Sequence, residues 1–213
     1  MKMKYFVCSF FTFTRSLGNG ERIDMVDLLG QRKGKIVRSK RKDTRRKMMD
    51  IAMLIIDLQK GILASEESKE TVRDAVEYIN EVSGYFRKAG KPVIVIQDRE
   101  VGEGPGSEGY ELIDELEVEE TDIQVSKVHS NSFYETQLET ILHELGVEFL
   151  VISGFAAEYC VLFTYNGARE RGFGASLLQH GIAGMTKKGV RDTQIVRPVI
   201  SYEALKFFLK GSE

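Results

Sequence analysis

A chain of 213 residues with 42% hydrophobic content is long enough for one globular domain with a sizeable core. No apolar run has the length needed to span a bilayer, and two cysteines (Cys8, Cys160) with three histidines (His129, His143, His180) exclude a disulfide scaffold and a protein-ligated zinc site. The net charge of −2 hides two opposed parts: residues 1–48 hold 14 Lys/Arg against 4 Asp/Glu, the remainder 16 against 28.

The basic part reads as a leader. Met1 to Ser16 has lysines before an aromatic-rich run, but neither the aliphatic centre nor the small-residue cleavage site of a signal peptide. Arg32 to Lys47 is almost all base, a composition that stays solvated and disordered. It is the one stretch suited to a nucleic-acid partner, a task the acidic body would not share. The leader is also open to a second reading. Arg45-Arg46-Lys47 before Met48-Met49 is what a purine-rich ribosome-binding sequence gives when read as codons, which places a natural start near Met49. The folded domain is expected over residues 49–213.

From Ile51 the pattern changes. IAMLIID is continuously apolar, as a central parallel strand covered on both faces would be, and it ends in Asp57. In open α/β sheets the carboxyl ends of strands are where ligands bind, so Asp57 is a candidate site residue, with a turn or cap Asp as the plain alternative. Residues 67–89 carry Val72, Ala75, Val76, Ile79, Val82 and Phe86 at helical spacing and stop at Gly90. PVIVIQD (Pro92 to Asp98) is a second buried strand. Arg99 to Gly109 is a glycine-rich loop without the spacing of a phosphate-binding loop. DIQVSKV (Asp122 to Val128) is a third strand with Lys127 near its end, either a surface charge or an active-site cation. Ser132 and Glu135 form a capping-box pattern for a helix bearing Leu138, Ile141, Leu142 and Leu145.

Glu148 to Ser153 is a fourth strand, and after the break Gly154-Phe155-Ala156-Ala157 comes Cys160 at a strand-to-helix junction. The unpaired N–H groups and positive dipole of a helix start favour thiolate there. A buried, inert cysteine is the alternative. Gly174 to Gln179 is a fifth strand, His180 reads as a loop or core histidine, and Tyr202 to Leu209 is a final amphipathic helix. Alternating strands and helices predict an α/β fold, a three-layer α/β/α arrangement with a mainly parallel central sheet. Asp57, Lys127 and Cys160 then share one sheet edge.

LIIDLQKG, SKVHSNSF and SGFAAEYCVLFTYNGARERGF, in that order, resemble the isochorismatase-like cysteine hydrolases, a family that includes nicotinamidases and N-carbamoylsarcosine amidases. The resemblance covers about residues 51–209. It implies an Asp57–Lys127–Cys160 triad, a cis peptide at Phe155-Ala156, and an oxyanion hole made by the N–H groups of Ala156 and Cys160. Gln59, Phe133 and Tyr165 are candidate substrate contacts. Where nicotinamidases of the family hold a metal through an Asp-x-His element, this chain has Asp98-Arg99-Glu100, and no histidine lies between Ile51 and Val128. Neither a metal nor another cofactor is therefore expected. The resemblance implies a homo-oligomer that hydrolyses an amide or related C–N bond of a small molecule; the cysteine usage predicts a cytoplasmic setting, and the lack of a spanning apolar run predicts no membrane partner. An isochorismatase-type ether hydrolase and a catalytically idle binding protein of the same fold are the rivals.

Overall fold

Strands that are apolar on both sides need cover on both faces, and the arrangement of this chain follows from that requirement. The computed structural model describes residues 14–16, 22–24, 50–63 and 65–210. The chain divides into two units, Met1–Arg45 and Arg46–Glu213. In the first, the described residues are two strands paired antiparallel, β1 (Thr14–Ser16) and β2 (Arg22–Asp24). The basic run Arg32 to Lys47, the one stretch open to a nucleic-acid partner, and the start near Met49 lie outside the described residues.

The second unit holds β3 (Asp50–Ile56), β4 (Val93–Asp98), β5 (Ile123–Lys127), β6 (Val147–Gly154), β7 (Gly174–Ile182) and β8 (Val199–Ile200). All pair in parallel, in the order β5-β4-β3-β6-β7-β8. Its helices are α1 (Glu66–Lys88), α2 (Leu138–Glu144), α3 (Leu162–Glu170), α4 (Lys187–Val196) and α5 (Tyr202–Lys210). The chain winds outward from β3 to β5, then crosses back to lay β6 on the other side of β3. That reversal makes the carboxyl ends of β3 and β6 the switch point of the sheet, where crevices form.

Central β3 shows the two-sided burial directly. Ala52 to Ile56 are all 0% exposed. Ala52, Leu54 and Ile56 join one core with Leu138 and Leu142 of α2 and Tyr165 and Ala168 of α3, while Met53 and Ile55 join another with α1 and with Leu205 and Leu209 of α5. Each fully buried side chain of this size stabilises by about 1.5–3 kcal/mol, which favours one register of pairing over its neighbours. Helix α1 starts where Ser65 and Ser68 cap each other reciprocally, carries Glu66 and Glu67 in its first turn and Arg87 and Lys88 in its last, as the helix dipole favours.

Two features differ from the pattern in the sequence. Ser132 and Glu135 form no capping box: α2 begins only at Leu138, and the Ser132 hydroxyl is taken by Thr164 Oγ1 at 2.8 Å. A tertiary partner has displaced the local one. Helix α4 also forms without an apolar signal, since Thr193 is its only buried residue. Among the described residues no helix is long and apolar enough to cross a membrane.

Candidate active site

Four elements deliver one polar side chain each to the carboxyl edge of the sheet. Asp57 follows β3 with φ +50°, a left-handed conformation that Asp tolerates better than most residues, and its N–H donates to the Ile96 carbonyl at 2.9 Å. Asp98 ends β4 and Lys127 ends β5, paired in register across the two strands. The fourth, Cys160, depends on glycine. Gly154 has φ +104°, and a Cβ there would sit 2.1 Å from the Ile56 carbonyl oxygen, so only glycine lets the end of β6 come this close to β3. The Phe155-Ala156 peptide is cis, and residues Ala157–Val161 form a π-turn that carries Cys160 into α3.

Lys127 is the centre of the cluster. Its Nζ lies 2.7 Å from Asp57 Oδ2, 2.9 Å from Asp98 Oδ2 and 3.6 Å from Cys160 Sγ. The side chains of Asp57 and Lys127 have no solvent exposure, whereas that of Asp98 is 17% exposed. Neither Asp57 oxygen takes part in a hydrogen bond of regular geometry, so charge rather than direction holds the 2.7 Å contact.

Burial decides the protonation of this cluster. Desolvation pushes the Asp57 carboxyl up to about 6 against the pull of Lys127. Burial opposes the charge on Lys127, but Asp57 and Cys160 outweigh it and leave the ammonium held above its ordinary range. Desolvation and then the Asp57 charge push the Cys160 thiol up to about 12, although Lys127 draws it down. This corrects the expectation drawn from the helix start. The resting sulfur is a thiol beside a carboxylate, because loss of water and the Asp57 charge outweigh the pull of Lys127.

The backbone around the sulfur offers donors. The Ala156 carbonyl accepts from the N–H groups of Tyr159 and Val161, passing over that of Cys160 between them. Turns of this π type recur at functional sites. The turn is tied down by Glu158, whose carboxylate accepts from Met185 N at 3.2 Å and Thr186 N at 3.3 Å at the start of α4. Gly184 and Gly189 leave room for it: a Cβ on Gly189 would fall 1.7 Å from Glu158 Oε1.

The expected substrate contacts lie against this cluster: Gln59 bonds the backbone of Asp98, and Phe133 and Tyr165 belong to the core on which Cys160 packs. The Gln59 amide, 0% exposed, donates to the carbonyls of Asp98 and Tyr110 and accepts from Asp98 N. Its polar atoms bond the backbone, and this fixes Asp98. Phe133 is buried, stacks on Phe173 at 5.8 Å and lies under the Arg171 guanidinium. Tyr165 is buried in the same core with Arg197 over its ring. His180 contacts Tyr78 beside a groove of about 580 Å³ between α1, β7 and α4 that none of the four cluster residues lines.

Asp98 is the cluster member that strand-end reading recorded without a role; its signal was an acid in register with a lysine on the next strand. At the position of the family's Asp-x-His element, Asp98 Oδ2 is on Lys127 and Oδ1 accepts from Glu100 N. The acids and the sulfur here gather on an ammonium, no histidine is among them, and among the described residues no three His, Cys, Asp or Glu side chains form a group that could hold a metal ion, so these residues do not fit that metal.

Residues 51–198 match the family model for the Isochorismatase domain. YddQ of Bacillus subtilis (strain 168), an uncharacterised isochorismatase family protein, is 28% identical over 150 residues, 65% of this chain and 80% of its own length. Ureidoacrylate amidohydrolase RutB of Caulobacter segnis is 27% identical over 150 residues, 52% of this chain and 62% of its own. The crystal structure of N-carbamoylsarcosine amidase from Thermoplasma acidophilum superposes with a TM-score of 0.64 at 22% identity, over 71% of this chain and 98% of that one.

Proposed function

The chain belongs to the isochorismatase family, and from that premise we propose that it is a cysteine hydrolase that cleaves a small amide or related C–N bond through a thioester at Cys160. The observation that carries this reading is a single ammonium, on Lys127, within reach of both a buried carboxylate and a sulfur. The amidohydrolase among its relatives supports the bond type.

The thiol holds its proton more tightly than Asp57 does, so free thiolate is scarce and proton transfer accompanies attack. Sulfur bonds to the carbonyl carbon while its proton passes to Asp57. The negative charge thus moves from carboxylate to sulfur and on to oxygen. Lys127 lies 2.7 Å from the first position and 3.6 Å from the second, so it stabilises the charge throughout the move. The N–H groups of Ala156 and Cys160 receive the oxyanion. Asp57 gives its proton to the leaving nitrogen as the C–N bond breaks, leaving a thioester. It then takes a proton from water as the water oxygen bonds to the carbonyl carbon, and returns that proton to sulfur as the C–S bond breaks, which restores the thiol and the carboxylate. The products are the carboxylic acid and ammonia or an amine, with one water consumed.

Ammonia release from nicotinamide, pyrazinamide, carbamoyl amines and aliphatic amides tests the proposal, with Cys160→Ser beside the wild type. Hydrolysis of one class by the wild type, lost in the variant and accompanied by an acyl adduct on Cys160 in mass spectra, is expected. Turnover that survives Cys160→Ser overturns the covalent route and favours an ether-type hydrolase. Silence across the panel overturns the amidase assignment.

A further inference from the structure

We infer that Asp98 positions Lys127 and, by its charge, strengthens Asp57 as a base. The inference rests on the reading of Asp57 as proton acceptor and adds to it a fourth residue.

A lysine ammonium has three N–H donors and no acceptor. Here three acceptors surround it: Asp57 Oδ2, Asp98 Oδ2 and Cys160 Sγ. One N–H donates to Asp98 Oδ2 and another points at Cys160 Sγ, while the charge of Asp57 draws the same nitrogen from the third side, so the ammonium is held between the three groups. Asp98 is itself immobilised. Its N–H donates to Gln59 Oε1 at 2.8 Å, its carbonyl accepts from Gln59 Nε2 at 3.0 Å, and its Oδ1 accepts from Glu100 N at 2.9 Å.

The second consequence is electrostatic. The two Oδ2 atoms touch the same nitrogen and therefore lie within about 6 Å of each other, close enough for strong coupling in a buried site. Asp98 divides the pull of Lys127 and adds a negative charge that favours protonated Asp57, as its place among the causes of the raised Asp57 value reflects. The titratable groups facing Asp57 are Lys127 from β5, Cys160 from the π-turn and Asp98 from β4. Of the two acids, Asp98 alone has solvent access.

The test needs no substrate. Full-length protein is alkylated with iodoacetamide between pH 4.5 and 8.5, and the rate at Cys160 is followed by peptide mass spectrometry. In the wild type the rate rises through the ionisation of Asp57. In Asp98→Asn the rise is expected at least about half a pH unit lower, with a plateau about threefold or more below wild type, because a weaker base removes the thiol proton less readily. Asp98→Glu keeps the charge and is expected to restore the wild-type position of the rise. If Asp98→Asn does not fold, Asp98→Ser removes the same charge from a smaller side chain and carries the same expectation. A neutral variant with an unchanged rise and plateau overturns the role of Asp98, even if amide hydrolysis is intact. A shifted rise in a protein that hydrolyses no amide leaves the role standing and sinks the hydrolase reading.

Discussion

Replacing Lys127 by Met keeps the length and volume of the stem and deletes one charge from a place with no solvent access. Two carboxylates that shared an ammonium at 2.7 and 2.9 Å then face each other without it. Removing one partner of a buried ion pair costs roughly 3–5 kcal/mol. Protonation limits that cost, and this fixes its pH dependence. Asp57 already holds its proton more tightly in the fold than in the unfolded chain, so its contribution is greatest at low pH and is lost as pH rises through about 6. Without the pull of Lys127 its folded value rises further, and the loss extends to higher pH. The variant is expected to approach wild-type stability at pH 5 and to trail it by about 3 kcal/mol at pH 8, or roughly 6–12 °C in thermal midpoint for a domain of this size. Urea unfolding at the two pH values measures this, and ammonia release is expected to fall by at least about a hundredfold. Equal stability at pH 8, or a deficit that shrinks from pH 5 to pH 8, would refute the electrostatic reasoning.

Since Asp57 must be ionised to accept the thiol proton, kcat/KM is expected to climb through a limb near pH 6, set by burial; a limb near the ordinary carboxylate value would show that the cavity is wetter than described. Gly154→Ala drives a methyl to within 2.1 Å of the Ile56 carbonyl at φ +104°. A loss of at least about 4 kcal/mol in calorimetry is expected, and wild-type stability would contradict the close packing of β3 and β6. Gln59→Leu strips three hydrogen bonds from Asp98 and Tyr110. We expect a loss of about 2–4 kcal/mol and faster hydrogen exchange at the Asp98 amide, and unchanged exchange there would mean that other groups hold the end of β4.

Local pattern and tertiary partner carry different parts of this protein. The parallel strands and the long α1 were legible because IAMLIID, PVIVIQD and the stripe from Val72 to Phe86 state their burial in their own composition. Helix α4 was not, since KKGVRDTQIV buries a single threonine. Ser132 offered a cap in the sequence and gave its hydroxyl to Thr164 in the fold, 32 residues away. Gln59 and Phe133 were legible as residues near strand ends but not as a backbone staple and a core ring, because their partners at Tyr110 and Phe173 come from distant segments.

For the cluster, sequence alone determined that an acid, a lysine and a cysteine stand at strand ends, because a parallel sheet brings all its carboxyl ends to one edge. Only the tertiary structure decided that a second acid completes the set and that the sulfur rests protonated. Both depend on how far water is excluded and on what lies within 4 Å, and those quantities exist only once β3, β4, β5 and the π-turn have packed together.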